Sequence, residues 1–197
     1  MSGSTRRSSV RDLAQIAVFA GIVAALGLIP PVFLPIGQGI PVTAQSLGVM
    51  LAGLILGARR GFFALLLFVA LVALGLPLLS GGRGGLAVFV GFSAGFVIGF
   101  PIAAYAVGWF TERFCRDGRY RLGWGIVAAL LGGVGVLYVF GALGFMIVTR
   151  LSPLPVLIFI PGDLLKAVIA ALVAKGVHAA YPGLLPVARR SEPTPVS

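Results

Sequence analysis

Between residues 13 and 181 the chain is a succession of apolar runs of roughly membrane length, separated only by prolines, glycines and short arginine groups. Runs of this kind have to be buried in something other than water. Hydrophobic residues make up 59% of the chain and charged residues 10%, whereas a soluble domain is about a quarter charged. The mean hydropathy of +1.09 excludes disorder as firmly as it excludes a soluble globule. A disulfide scaffold is excluded too, because Cys115 is the single cysteine. At 197 residues the chain reads as one integral membrane domain.

A span needs about 20 mostly apolar residues. The first run covers about 13–29 and stops at Pro30-Pro31, and a segment follows that carries Pro35, Gly37, Gly39 and Pro41. Further runs cover about 42–58, 61–79, 86–110, 122–148 and 161–181, with the glycine-rich stretch 80–85 between the third and fourth. The expectation is an all-α membrane protein, a six-transmembrane-helix bundle. Residues 1–12 form a cytoplasmic N-terminal segment, 13–181 the membrane domain, and 182–197 a cytoplasmic tail expected to be disordered.

The net charge of +10 follows the loops rather than a nucleic-acid face. With six spans, one side holds Arg6, Arg7, Arg11, Arg59, Arg60, Arg113, Arg116, Arg119, Arg121, Arg189 and Arg190. The other holds Arg83 and Arg150, while Lys166 and Lys175 lie within the sixth run. That bias places both termini in the cytoplasm, excludes nucleic acid as the partner and makes the lipid bilayer the surrounding medium. The N-terminal run lacks a small-residue cleavage site and is read as a span rather than a signal peptide.

Two groups are costly in a bilayer. Asp163 and Lys166 stand three residues apart on one face at the start of the sixth run, where each ion costs roughly 2.5–3.5 kcal/mol at mid-depth. Asp163 as a helix cap paired to Lys166 is the simpler reading. A cap, however, does not require a lysine one turn deeper, so a ligand-binding pair is the stronger one. Arg83, among glycines on the outward side, suits an anion such as a carboxylate. Thr43 and Gln45, with Ser46, open the second run on the same side. Capping alone would explain Thr43 or Ser46, but Gln45 offers a polar ligand both donor and acceptor. Phe89, Phe92 and Phe96 would supply an apolar wall.

Gly91-Phe92-Ser93-Ala94-Gly95 fits the G-x-S-x-G pattern of a hydrolase elbow. Placed about 7 residues into the fourth helix, Ser93 would lie roughly 15 Å in depth from His178, the single histidine. No catalytic pair forms at that distance, and the chain reads as a non-enzyme. One His and one Cys build no metal cluster, and no phosphate-binding loop for ATP is present. Ala20 and Ala24, joined by Ala17, Gly21 and Ala25, form a stripe of small residues that lets a helix approach closely. Ala167, Ala170, Ala171 and Ala174 form another on the sixth helix.

The stretch from Pro41-Val42-Thr43-Ala44-Gln45-Ser46-Leu47-Gly48 to Gly53, with Leu56-Gly57, resembles the second-helix signature of BioY proteins. These are the biotin-binding S components of energy-coupling factor (ECF) transporters. Gly75-Leu76-Pro77, Gly82-Arg83-Gly84-Gly85, Gly99-Phe100-Pro101 and Pro161-Gly162-Asp163-Leu164-Leu165-Lys166 extend the resemblance over about residues 13–180. Family members often carry G-P-T-G-G where this chain has Gly91–Gly95, a departure that bears on the fourth helix more than on the ligand.

The resemblance implies six membrane helices in a prokaryotic cytoplasmic membrane and high-affinity capture of biotin for uptake. Biotin carries a ureido ring, an apolar thioether ring and a carboxylate. Asp163 would accept from the ureido nitrogens, Lys166 would donate to the ureido oxygen or the carboxylate, and Arg83 is a second carboxylate candidate. Gln45 and Thr43 would complete the hydrogen bonding, and segments 30–41 and 80–85 would cover the site. By the same resemblance the partners are a transmembrane coupling protein, met through Ala20 and Ala24, and a pair of ABC-type ATPases. ATP is then spent by the partners and no resident cofactor is needed. The alternative is a six-helix secondary carrier or channel for another small organic anion.

Overall fold

Inside a bilayer no water is available to backbone groups, so an apolar chain has to close its hydrogen bonds within its own segments. The fold, that of a computed structural model describing residues 3–33, 41–182 and 184–185, is helical almost throughout. Helix α1 spans Gly3–Gly27, α2 Gln45–Leu56, α3 Ala58–Ala73 and α4 Ala94–Phe114. Helix α5, Leu122–Ala128, continues through a π-helical segment, Ala129–Val136, into α6, Leu137–Thr149. A 3₁₀ segment, Leu154–Phe159, leads into α7, Ile160–Ala180. Four stretches are long and apolar enough to cross a membrane: Val10–Gly27, Ala94–Phe114, Leu122–Thr149 and Leu154–Ala180. The chain is a multi-pass membrane protein.

Several boundaries differ from the sequence reading. Helix α1 starts at Gly3, so residues 3–12 continue the helix rather than precede it. The third helix ends at Ala73, ahead of Pro77, and α4 begins at Ala94 rather than near 86. Leu86–Phe89 is instead a short 3₁₀ turn. Hydropathy does not see these ends, because an apolar loop folded over the bundle reads like an apolar helix. The chain around Pro30 and Pro41 also holds a two-residue antiparallel pair, β1 Val32–Phe33 with β2 Pro41–Val42. Residues 34–40 and, in the C-terminal tail, Gly183 and 186–197 lie outside the described residues.

Helix α2 is the centre of the bundle. Ten of its residues, from Gln45 to Leu56, are buried, and it touches α1, α3, α4 and α7. A helix apolar on every side belongs inside other helices, not against lipid. Small residues let its neighbours come close. A Cβ on Gly53 would meet the Ala104 carbonyl oxygen of α4, and one on Gly108 would overlap the Ala58 backbone nitrogen. Gly57 alone joins α2 to α3, at a φ of 81° that favours glycine. The Glu112 carboxylate of α4 accepts the Ala58 N–H at 2.8 Å and so closes the start of α3.

The long helix from Leu122 to Thr149 buries Gly125, Ala128, Ala129, Gly132, Gly133, Leu137, Tyr138, Gly141 and Phe145. Its middle, Ala129–Val136, is the π segment, whose wider i→i+5 turns shift the phase of the buried face ahead of Tyr138.

Arg60, counted in the sequence among the loop cations, is 8% exposed and sits in the first turns of α3. Its guanidinium donates to the Leu56 and Leu184 carbonyls at 2.9 and 2.6 Å and to Gln15 Oε1 at 2.6 Å. It also pairs with Asp12 at 3.4 Å. One buried arginine thereby ties the start of α1 and the segment after α7 to the α2–α3 corner.

Close packing at that corner is testable by thermal melts of the detergent-solubilised protein. Gly108→Ala forces a methyl into the Ala58 backbone and is expected to cost about 1–3 kcal/mol. Gly21→Ala, with nothing within 4 Å of the added carbon, is expected to cost nothing.

Candidate substrate-binding site

At the end of the bundle away from Arg60, the starts of α2 and α7 lie together. Asp163, in the first turn of α7, is 5% exposed. Its Oδ1 accepts from Ser46 Oγ at 2.8 Å and from Lys166 Nζ at 2.8 Å, while its Oδ2 accepts from the Tyr138 hydroxyl at 2.7 Å. Lys166 Nζ also donates to the Thr43 carbonyl at 2.6 Å and to Ser46 Oγ at 3.0 Å. The ammonium has three N–H donors and all three are placed, while the carboxylate has about four acceptor positions and three are filled. Among the described residues the ammonium is thus satisfied within the cluster, while the carboxylate keeps one acceptor position.

Asp163 stands in the first turn of α7 paired to Lys166, as the simpler reading has it, but it also reaches Ser46 and Tyr138 on other helices, and no side chain bonds the backbone at the start of α7. Nor does any side chain cap α2, where Ala44 occupies the capping position. Thr43 contributes its carbonyl to Lys166. Gln45, 2% exposed, is held by the loop after α3: its Nε2 donates to the Leu78 carbonyl and its Oε1 accepts the Ser80 N–H, both at 3.1 Å.

That loop is a tight turn. Leu79 and Arg83 exchange backbone hydrogen bonds around Ser80, Gly81 and Gly82, and both glycines have positive φ, 80° and 70°. The turn aims Arg83 across the site. Its Nε donates to the Ser80 carbonyl at 3.2 Å and its Nη1 to Ser93 Oγ at 3.0 Å, with the Phe92 ring 6.0 Å away. Burial lowers the Arg83 pKa from its ordinary value.

Ser93 therefore sits at the capping position of α4, not in its interior as the sequence suggested. Its hydroxyl serves Arg83. His178 lies fifteen residues beyond Asp163 along α7, about 22 Å at 1.5 Å per residue. It bonds the Leu54 carbonyl at 2.9 Å. The two share no site.

These groups line one pocket. Thr43, Gln45, Ser46, Arg83, Ser93, Asp163 and Lys166 form its polar part. Phe92, Phe96, Phe100, Phe145, Phe159, Leu79, Val97, Leu137 and Val156 form its apolar part. Phe96 meets Tyr138 and Phe159 edge to face, at 5.9 and 6.2 Å between centroids. Phe89, one of the three aromatics expected as a wall, packs on the core instead. Tyr138 escaped the sequence reading, although a tyrosine deep in an apolar helix signals a buried partner for its hydroxyl. Phe145, one heptad further along, shares its face.

The small-residue stripes divide. Ala167, Ala170, Ala171 and Ala174 are fully buried, and Ala20 is 3% exposed inside the core, with Ala24 packed against it. Among the described residues of α1, the exposed small ones are Ala14, Ala17, Gly21 and Ala25.

Comparison with known proteins places this arrangement. Residues 2–183 match the model of the BioY family. The biotin transporter BioY of Rhizobium etli is 47% identical over 188 residues, 90% of this chain and 98% of that protein. The protein of the same name from Rhodobacter capsulatus is 46% identical over 89% of this chain and 97% of its own length. Among solved structures, the S component for biotin from an ECF-type ABC transporter superposes with a TM-score of 0.79 at 28% identity, covering 91% of this chain and 95% of that one. A family match across nearly all of the chain, with relatives close to half identical over their whole length, shows that the chain belongs to the BioY family.

Proposed function

We propose that this protein is the biotin-binding S component of an ECF-type transporter, a transport protein rather than an enzyme. The observation that carries the reading is the buried Asp163–Lys166 pair in an aromatic pocket, in a chain whose relatives are named biotin transporters.

The chemistry of the pocket matches biotin end to end. Two ureido N–H groups need an acceptor, and Asp163 is the carboxylate lining the pocket. The ureido ring therefore docks at Asp163, and Lys166, bonded to the same carboxylate, donates to the ureido oxygen. Arg83 is then the cation left for the biotin carboxylate, released from Ser93 when the ligand arrives. The phenylalanines hold the thioether ring. Thr43 and Gln45 act from behind, fixing Lys166 and the loop after α3.

In this reading six helical stretches cross the cytoplasmic membrane of a prokaryote, with both termini in the cytoplasm, as the arginine distribution favours. The pocket then opens outward. Uptake draws on a membrane-embedded coupling protein and a pair of ABC-type ATPases, and this chain itself takes no cofactor. The coupling surface on α1 is the exposed face at Ala17, Gly21 and Ala25, with Ala24 half-buried at its edge and Ala20 buried in the core.

Three measurements test this. Biotin binding to the purified protein in detergent is expected to be tight in wild type and lost in both Asp163→Asn and Lys166→Ala. No binding by a folded wild-type protein would hand the reading to a carrier of another small organic anion. Tyr138→Phe keeps the ring but removes a donor to a carboxylate, and is expected to lower stability by about 1.5–3 kcal/mol, read by thermal melts. In cells with the coupling subunits, Ala17→Trp is expected to stop energised uptake while biotin binding persists. Ala20→Trp overfills the core and is expected to lose both together.

A further inference from the structure

A second groove lies on the outer surface between α3 and α4, lined by Arg59, Phe62 and Phe63 from α3 and by Ile102 and Tyr105 from α4. It belongs neither to the biotin pocket nor to the bundle core. Phe63, Ile102 and Tyr105 are exposed at 50%, 37% and 44%. The rings hold one another edge to face: Phe62 meets Phe63 at 5.5 Å and Tyr105 at 6.4 Å. Arg59, next to the buried Arg60, is exposed in the first turn of α3 and has no hydrogen-bond or ion-pair partner among the described residues.

The groove is polar at one end and apolar along its length. Arg59 lies at the arginine-rich end of the bundle, level with the last turns of α4, where Trp109 is exposed and Arg113 follows. Exposed tryptophan beside arginine marks headgroup depth. Gly108 of α4 packs on Ala58, the neighbour of Arg59, and Ile102 is six residues from Gly108, about 9 Å deeper. A cation with no partner among the described residues, at headgroup depth above a short aromatic trough, is complementary to one kind of molecule.

We infer that this groove is a binding site for an anionic phospholipid, its phosphate held by Arg59 and one acyl chain lying along Phe63, Ile102 and Tyr105. A lone arginine near the surface contributes about 1 kcal/mol toward an anionic lipid, roughly fivefold in affinity.

Native mass spectrometry of the full chain in detergent, titrated with phosphatidylglycerol or with phosphatidylcholine of the same acyl chains, tests it. Wild type is expected to retain one phosphatidylglycerol about fivefold more tightly than phosphatidylcholine. Arg59→Gln is expected to erase the preference while biotin binding, the control for folding, stays unchanged. Ile102→Trp fills the trough and is expected to weaken both lipids. A preference that survives Arg59→Gln, or no preference in wild type, overturns the site. So does a second copy of the chain, or a coupling subunit added to the titration, that displaces no lipid yet dissociates on Ile102→Trp, since the groove would then be a protein interface.

Discussion

Asp163 accepts hydrogen bonds from α2 through Ser46, from α6 through Tyr138 and from its own helix through Lys166. A carboxylate removed from water demands such partners, because an unpaired buried charge costs several kcal/mol. Three donors from three helices mean that the starts of α2 and α7 and the middle of the Leu122–Thr149 helix hold one arrangement or none. Lys166 extends the constraint by reaching the Thr43 carbonyl just ahead of α2. The rest of the pocket hangs on this frame: the phenylalanines close around it, and Gln45, one residue from Ser46, anchors the turn that carries Arg83.

The opposite end is built on the same logic with the sign reversed. Arg60 is a buried cation whose partners come from α1, from the last residue of α2 and from the segment after α7. Between the two ends the helices are held by contact rather than charge. Glycines at 53, 108 and 132 bring backbones so close that a methyl group at any of them would overlap a neighbour. Lipid offers no hydrophobic drive between helices, so close contact of this kind supplies the attraction. Charged clusters at the ends and small residues in the middle thus divide the work of fixing the bundle.

Much of the site could be read from residue types alone. Asp163, Lys166 and Arg83 stood out because ions are expensive in lipid, and Gln45 because an amide has few uses there. Their roles could not be read. Whether Gln45 faces a ligand or a loop depends on Leu78 and Ser80, more than thirty residues away in the chain. Tyr138 and Phe145 were hidden in an unbroken apolar run, and the π segment sets the face they occupy. Ser93 was misplaced because hydropathy continues smoothly from the 3₁₀ turn into α4. Ala20 and Ala24 show the same limit: a small residue permits close approach, but only the neighbours say whether to the bundle or to the outside.

By itself the sequence determined that the chain lives in a membrane as helices, which ends carry the positive charge, and which ionisable residues had to be paired. Solvation imposes those facts one residue at a time. Only the tertiary structure decided that Asp163 meets Tyr138, that Arg60 is a clasp while its neighbour Arg59 stays exposed, and that α2 runs through the centre. Those outcomes depend on distances between segments far apart in the chain, set by helix phase and by how closely backbones pack.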